Sequence, residues 1–156
     1  MMRLRWTVLG LCLLVSAAVL AGGRADAGDL WPVPGGLQRD FDPPDPDWLP
    51  GHRGVDLAAH AGDPVVSPRA GRVGFVGRVA GTPVLTIDHG MLRATYQPVT
   101  SSLTAGTPVA AGQVVATVAT GGHCSGQCLH WGALMNDRYV DPRLLLGHTR
   151  VVLRPL

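Results

Sequence analysis

The chain contains no lysine and no glutamate: all 13 basic residues are arginine and all 11 acidic residues are aspartate. Without glutamate it has no zinc helix of the His-Glu-x-x-His kind, in which a glutamate is the general base. Without lysine it offers no attachment point for a lipoyl or biotinyl group, so a swinging-arm carrier is excluded. A clustered basic excess, the footprint of a nucleic-acid surface, is also missing. Cysteine is scarce, with three residues in all. Cys12 lies inside an apolar run and not at its end, which argues against a lipid-anchor cysteine.

The N-terminus opens Met1-Met2-Arg3-Leu4-Arg5 and then runs apolar from Trp6 to Leu20, followed by small residues and the A-x-A sequence Ala25-Asp26-Ala27. This is the layout of a secretory signal peptide over residues 1–27. The apolar run is shorter than the roughly 20 residues a spanning helix needs. The expectation is therefore an extracytoplasmic protein of the cell envelope or medium, with no membrane attachment after cleavage. Removal of residues 1–27 takes away Arg3, Arg5, Arg24 and Asp26, which leaves ten arginines against ten aspartates over 129 residues. That length suits one domain with its own core.

Residues 28–50 are rich in Pro, Asp and Gly, as in Asp42-Pro43-Pro44-Asp45-Pro46, and cannot be helical. They read as an ordered lead-in with one short strand near Leu37–Phe41. From Val65 onward the text is all-β, with short Val-rich runs punctuated by Gly and Pro. Strands are expected at Pro64–Ser67, Gly71–Val79, Pro83–Asp88, Leu92–Gln97, Pro108–Ala110, Val114–Ala119 and His130–Met135. A helical turn is expected only at Pro142–Leu146. The pattern Ala-Gly-x-Pro-Val occurs at residues 61–65, 80–84 and 105–109. Repeated turn-then-strand signals suit a compact antiparallel β-sandwich with short strands. The main domain is set at 51–147 and a C-terminal tail at 148–156.

His52 and Asp56, in Gly51-His52-Arg53-Gly54-Val55-Asp56, are answered downstream by His130 in Cys128-Leu129-His130-Trp131. Two imidazoles and a carboxylate form a three-ligand set for zinc and leave a fourth position open, as hydrolytic zinc sites do. On a straight strand the four-residue step from His52 to Asp56 spans about 13 Å, too far for shared coordination. Pro50, Gly51 and Gly54 argue against a helix, so a curled loop bent at Gly54 is expected. His130 is expected on a strand, with Cys128 on the same side of it. Export and the three-residue spacer point to a disulfide between Cys124 and Cys128. The rival is Cys128 as a fourth metal ligand.

In combination these motifs resemble the lysostaphin/LytM-type zinc metallopeptidases. Gly51-His52-Arg53-Gly54-Val55-Asp56 is similar to that family's His-x-x-x-Asp motif. Gly62-Asp63-Pro64-Val65, Ala70-Gly71 and Val73 are similar to the strand pattern after it. Ile87-Asp88-His89-Gly90 and Thr95-Tyr96 resemble its central segment, Val109–Val115 its Val-x-x-Gly-x-x-Val element, and Leu129-His130-Trp131 the end of its His-x-His motif. The resemblance spans roughly residues 35–147. It implies an antiparallel sheet with a groove and zinc at its base, His52, Asp56 and His130 as ligands, and cleavage of peptide bonds in peptidoglycan.

Two positions depart from the family pattern. Cys128 stands where the first histidine of His-x-His is usual, and Pro98 stands two residues after Tyr96 where another is usual. Those histidines assist the metal-bound water and the developing oxyanion. His123 is the candidate substitute, brought back toward the site by the disulfide. Tyr96 reads equally as an oxyanion donor or a core residue. His89 reads as structural, and His60 and His148 as surface residues. Two functions follow: a secreted zinc endopeptidase acting on peptidoglycan peptides, or a degenerate module that holds zinc or wall peptide and regulates another cell-wall hydrolase.

Overall fold

The computed structural model describes residues 30–46 and 48–146. The expected signal peptide, the tail at 148–156 and His148 lie outside the described residues. The described chain forms eleven strands and one short 3-10 helix, η1 at Pro142–Leu146, where the helical turn was expected. The strands are β1 (Leu37–Arg39), β2 (Val55–Ala58), β3 (Pro64–Val66), β4 (Gly71–Val79), β5 (Thr82–Asp88), β6 (Leu92–Gln97), β7 (Val99–Thr100), β8 (Pro108–Val109), β9 (Val114–Val118), β10 (Cys128–Met135) and β11 (Arg138–Val140).

Every pairing is antiparallel, so the fold is all-β as expected. The large sheet runs β1-β2-β10-β6-β5-β4-β8, with β11 added beside β10, and a small sheet runs β3-β9-β7. One edge of β10 is shared: β2 pairs with residues 128–131 and β11 with residues 133–135. The Ala-Gly-x-Pro-Val echo marks turns. Between β4 and β5, Ala80 and Gly81 both take positive φ, 46° and 82°, as a two-residue hairpin turn whose twist suits the flanking strands requires.

Alternation along the strands assigns two faces to the large sheet. Val55, Leu57, Leu85, Ile87, Ala94, Tyr96, Leu129 and Trp131 are fully buried and form one core with Val65, Val99, Val115 and Val118 of the small sheet. The intervening residues Asp56, Thr86, Thr95, Gln97 and His130 belong to the other face. The lead-in closes the core: Val33 is buried and Trp31 packs edge-on against Trp131 with ring centroids 6.0 Å apart. Trp131 fills the largest share of this core, and its truncation to alanine is expected to cost about 3–5 kcal/mol.

The strand boundaries differ from expectation where chemistry is concentrated. Val55–Ala58 is a strand, where only a loop was expected, because it pairs with β10 on one edge and β1 on the other. β10 starts at Cys128, two residues earlier than expected, for the same reason. Neither partner is a sequence neighbour of the other, so local pattern carries no trace of the pairing.

Candidate metal centre

Register brings the first two candidate ligands together. β2 and β10 set Asp56 directly opposite His130, and such cross-strand neighbours on one face are within reach of each other. His130 Nδ1 lies 2.8 Å from Asp56 Oδ1. The period that sends Val55, Leu57, Leu129 and Trp131 into the core sends these two to the opposite face. Both are nonetheless buried, at 4% and 7% exposure.

His52 arrives by a separate device. Its backbone exchanges hydrogen bonds of 2.7 and 3.0 Å with Asp42, an isolated bridge outside any strand. The chain then turns through Arg53 and Gly54. A Cβ at position 54 would fall 2.6 Å from the Trp131 carbonyl oxygen and 2.8 Å from the His130 ring, so only glycine lets the chain pass this close. The expected bend at Gly54 is therefore present, with Asp56 on a strand directly after it. His52 Nδ1 donates to the Asp40 carbonyl. This fixes the ring and turns Nε2 inward, 3.0 Å from Asp56 Oδ1 and 3.1 Å from His130 Nδ1.

His123 completes the cluster from a third direction. Its Nε2 lies 2.9 and 3.0 Å from the two Asp56 oxygens, although its side chain remains 46% exposed. It sits in a tight loop in which Gly121, Gly122, Ser125 and Gly126 all take positive φ. The loop's base is closed by the disulfide between Cys124 and Cys128, with Cα atoms 4.9 Å apart. Cys128 stands on β10 two residues before His130 and shares its face, so the bridge draws the loop over the ligands.

The donor set fits a divalent cation. A carbonyl can only accept, so His52 carries its proton on Nδ1 and its Nε2 presents a lone pair in the neutral form. That lone pair faces a carboxylate oxygen, also an acceptor, in a buried setting. Two buried acceptors at this distance need a proton or a cation between them. The ligand atoms of His52, Asp56, His123 and His130 all lie within 4.8 Å of one another, and a nitrogen- and oxygen-rich set of this kind suits zinc. Burial pushes the His130 imidazole below its ordinary pKa against the pull of Asp56, which keeps it neutral and able to ligate. Burial alone would raise Asp56. Hydrogen bonds from His130 and His123 outweigh it and hold the carboxyl well below the usual carboxylate range.

His52, His123 and His130 border a groove of about 490 Å³. Across the sheet order it runs from Arg39 on β1, past the ligands, to Gln97 on β6, Thr86 on β5 and Phe75 on β4. Arg39 and Arg53 line it and no carboxylate does. A second cavity of about 510 Å³, bordered by Trp31, Pro34, Leu37 and Pro64, shares no residue with the groove and has no titratable side chain.

The other sequence candidates separate cleanly. Tyr96 is fully buried and faces the core, so of its two readings the core residue holds. Its neighbour Gln97 occupies the groove position opposite His130. Sequence reading missed Gln97, although alternation from Tyr96 would have found it. His89 bonds through Nδ1 to the Ala70 carbonyl at 3.0 Å and has no part in the cluster. His60 lies in an exposed turn beside Asp63. Pro98 follows Gln97 and is buried.

The model of peptidase family M23 matches residues 50–142. Uncharacterized proteins of Mycobacterium bovis and Mycobacterium tuberculosis are 42% identical over 160 residues, which is 96% of this chain. The chain spans 64% of the length of these curated relatives. Among solved structures, a zinc containing peptidase from Vibrio cholerae superimposes with a TM-score of 0.62 at 28% identity, over 72% of this chain and 38% of that one. The catalytic domain of the prophage-encoded M23 protein EnpA from Enterococcus faecalis gives 0.60 at 25%, over 70% and 89%. The catalytic domain of lysostaphin from Staphylococcus simulans gives 0.62 at 20%, over 72% and 92%, a likeness of fold alone.

Proposed function

The chain belongs to peptidase family M23, and from that premise we propose that it is a zinc-dependent endopeptidase acting on peptidoglycan peptides outside the cytoplasm. The convergence of His52, Asp56 and His130 on one point at the base of an open groove carries this reading. Export rests on the Met1–Ala27 pattern. Among the described residues no helix is long and apolar enough to cross a membrane.

His52, Asp56 and His130 would hold the ion. When bound, zinc supplies Lewis acidity toward a peptide carbonyl and toward water at near-neutral pH. The chain's own residues supply the rest. The Asp40 carbonyl and the Gly54 bend orient the two imidazoles, in the way that outer partners set ligand geometry. His123, more exposed than the other three, is the proton carrier. Its imidazole takes the proton of the attacking water and returns it to the leaving amine, so that one peptide bond and one water become a carboxylate and an amine. Gln97 offers an amide donor beside His130 for the carbonyl oxygen as charge develops there. Arg39 and Arg53 favour a peptide bearing carboxylates.

One observation favours the second reading, a zinc or peptide-binding module that regulates another cell-wall hydrolase. His123 touches both oxygens of Asp56, and as a fourth ligand it would close the site. Zinc content and release of new amines from purified peptidoglycan decide between them. One zinc per chain with turnover supports the peptidase. One zinc per chain with no turnover moves the assignment to the module, and absence of zinc defeats the peptidase and leaves only a peptide-binding module.

A further inference from the structure

Two ligand sets overlap in this molecule. The first is His52, Asp56, His123 and His130. The second is Asp56, His123, Cys124 and Cys128, whose ligand atoms also lie within 4.8 Å of one another. Asp56 and His123 belong to both. In the disulfide form the two sulfurs are bonded to each other and are poor donors; as thiolates they are strong zinc ligands. We propose that reduction of the Cys124–Cys128 disulfide transfers the metal from its open site on His52, Asp56 and His130 of the first set to this second, closed set and shuts off the open site. The inference rests on the zinc reading above.

The loop is built to keep its thiols in place once the bond is cut. Ala59 N–H donates to the Gln127 carbonyl at 3.4 Å and Ala61 N–H to the Gly126 carbonyl at 3.1 Å. Inside the loop, Ser125 N–H reaches the Gly121 carbonyl at 3.2 Å and Gln127 N–H the Cys124 carbonyl at 2.8 Å. Cys128 is fixed independently by its strand position opposite Ala58. Cys124 and Cys128 are both buried, so the freed sulfurs stay beside Asp56 and His123. The exchange balances with a dithiol reductant: its two thiols become a disulfide, the protein disulfide becomes two thiols, and these lose two protons on binding the metal. Four protein ligands, two of them thiolates, make a structural site with no position for substrate. His52 and His130 are left to their protein partners.

The test uses the protein loaded with cobalt in place of zinc, oxidised and after treatment with a dithiol. The expected result is an intense thiolate-to-cobalt charge-transfer band in the reduced protein only, together with at least a tenfold loss of any peptidase activity. His52→Ala combined with His130→Ala should bind no metal when oxidised and one per chain, with the band, when reduced. Cys124→Ser combined with Cys128→Ser should show no band and no response to the dithiol. Reduced wild type without the band, or a reduced His52→Ala/His130→Ala protein that binds no metal, overturns the inference. Failure of the peptidase reading looks different: no turnover in the oxidised, metal-loaded wild type, with the reduced-state band intact.

Discussion

Asp56 and His130 are held by strands, whereas His52 and His123 are held by loops. The strand-borne pair owes its position to the alternation that fills the core. Any slip of one residue between β2 and β10 would expel Leu57 and Trp131 along with misplacing the ligands. The loop-borne pair has no such insurance. His52 depends on a two-bond bridge to Asp42 and a hydrogen bond to Asp40, and His123 on a disulfide and four positive-φ residues. Strand-held candidate ligands are thus coupled to folding itself, and loop-held ones to local devices that change without unfolding the protein. The groups that tune chemistry are expected on the loops.

That contrast is broken most directly at Asp56, the one residue touched by all three histidines. Asp56→Ala is expected to abolish zinc binding and activity together, as metal analysis and a peptidoglycan assay would record. Retention of zinc would show that the strand pair is not the anchor. His123→Ala sharpens the comparison from the loop side. Zinc should remain while hydrolysis falls by about 10² or more, the usual scale for losing a proton-transfer group. An unchanged rate would make His123 an ordinary loop residue, and loss of zinc would make it a ligand.

Gly54→Ala is a subtler break. The added methyl meets the Trp131 backbone and the His130 ring, so metal affinity should drop about 10- to 100-fold, as for other changes that disturb ligand orientation. Titration against a competing chelator measures it, and unaltered affinity would mean the bend relaxes freely. Arg39→Gln is expected to raise KM for carboxylate-bearing peptides about tenfold with kcat nearly unchanged, the mark of lost uniform binding. Equal effects on amidated peptides would remove Arg39 from substrate recognition. The smallest effect concerns stability alone. Opening the five-residue disulfide loop should lower unfolding free energy by about 2 kcal/mol, visible in denaturant midpoints while the core strands persist.

Much of this arrangement was legible beforehand. Gly and Pro punctuation located most strands to within a residue or two, because turn chemistry is local. The strand at Val55–Ala58 was not legible, since it exists through its pairing with β10, seventy or more positions away. Gln97 was hidden behind the more conspicuous Tyr96. His123 was picked out only because two other histidines were missing and a cysteine pair stood beside it.

Residue types, turn signals and the family resemblance thus pointed to an all-β chain, to His52, Asp56 and His130 as candidate ligands, and to a cysteine pair after His123. Composition, turn signals and donor chemistry are properties of short stretches. Which histidines reach Asp56, that Gln97 faces the groove and Tyr96 the core, and that two ligand sets share Asp56 and His123 were decided by the tertiary structure. Each depends on cross-strand register and loop closure between distant segments, and long-range pairing leaves no local pattern to read.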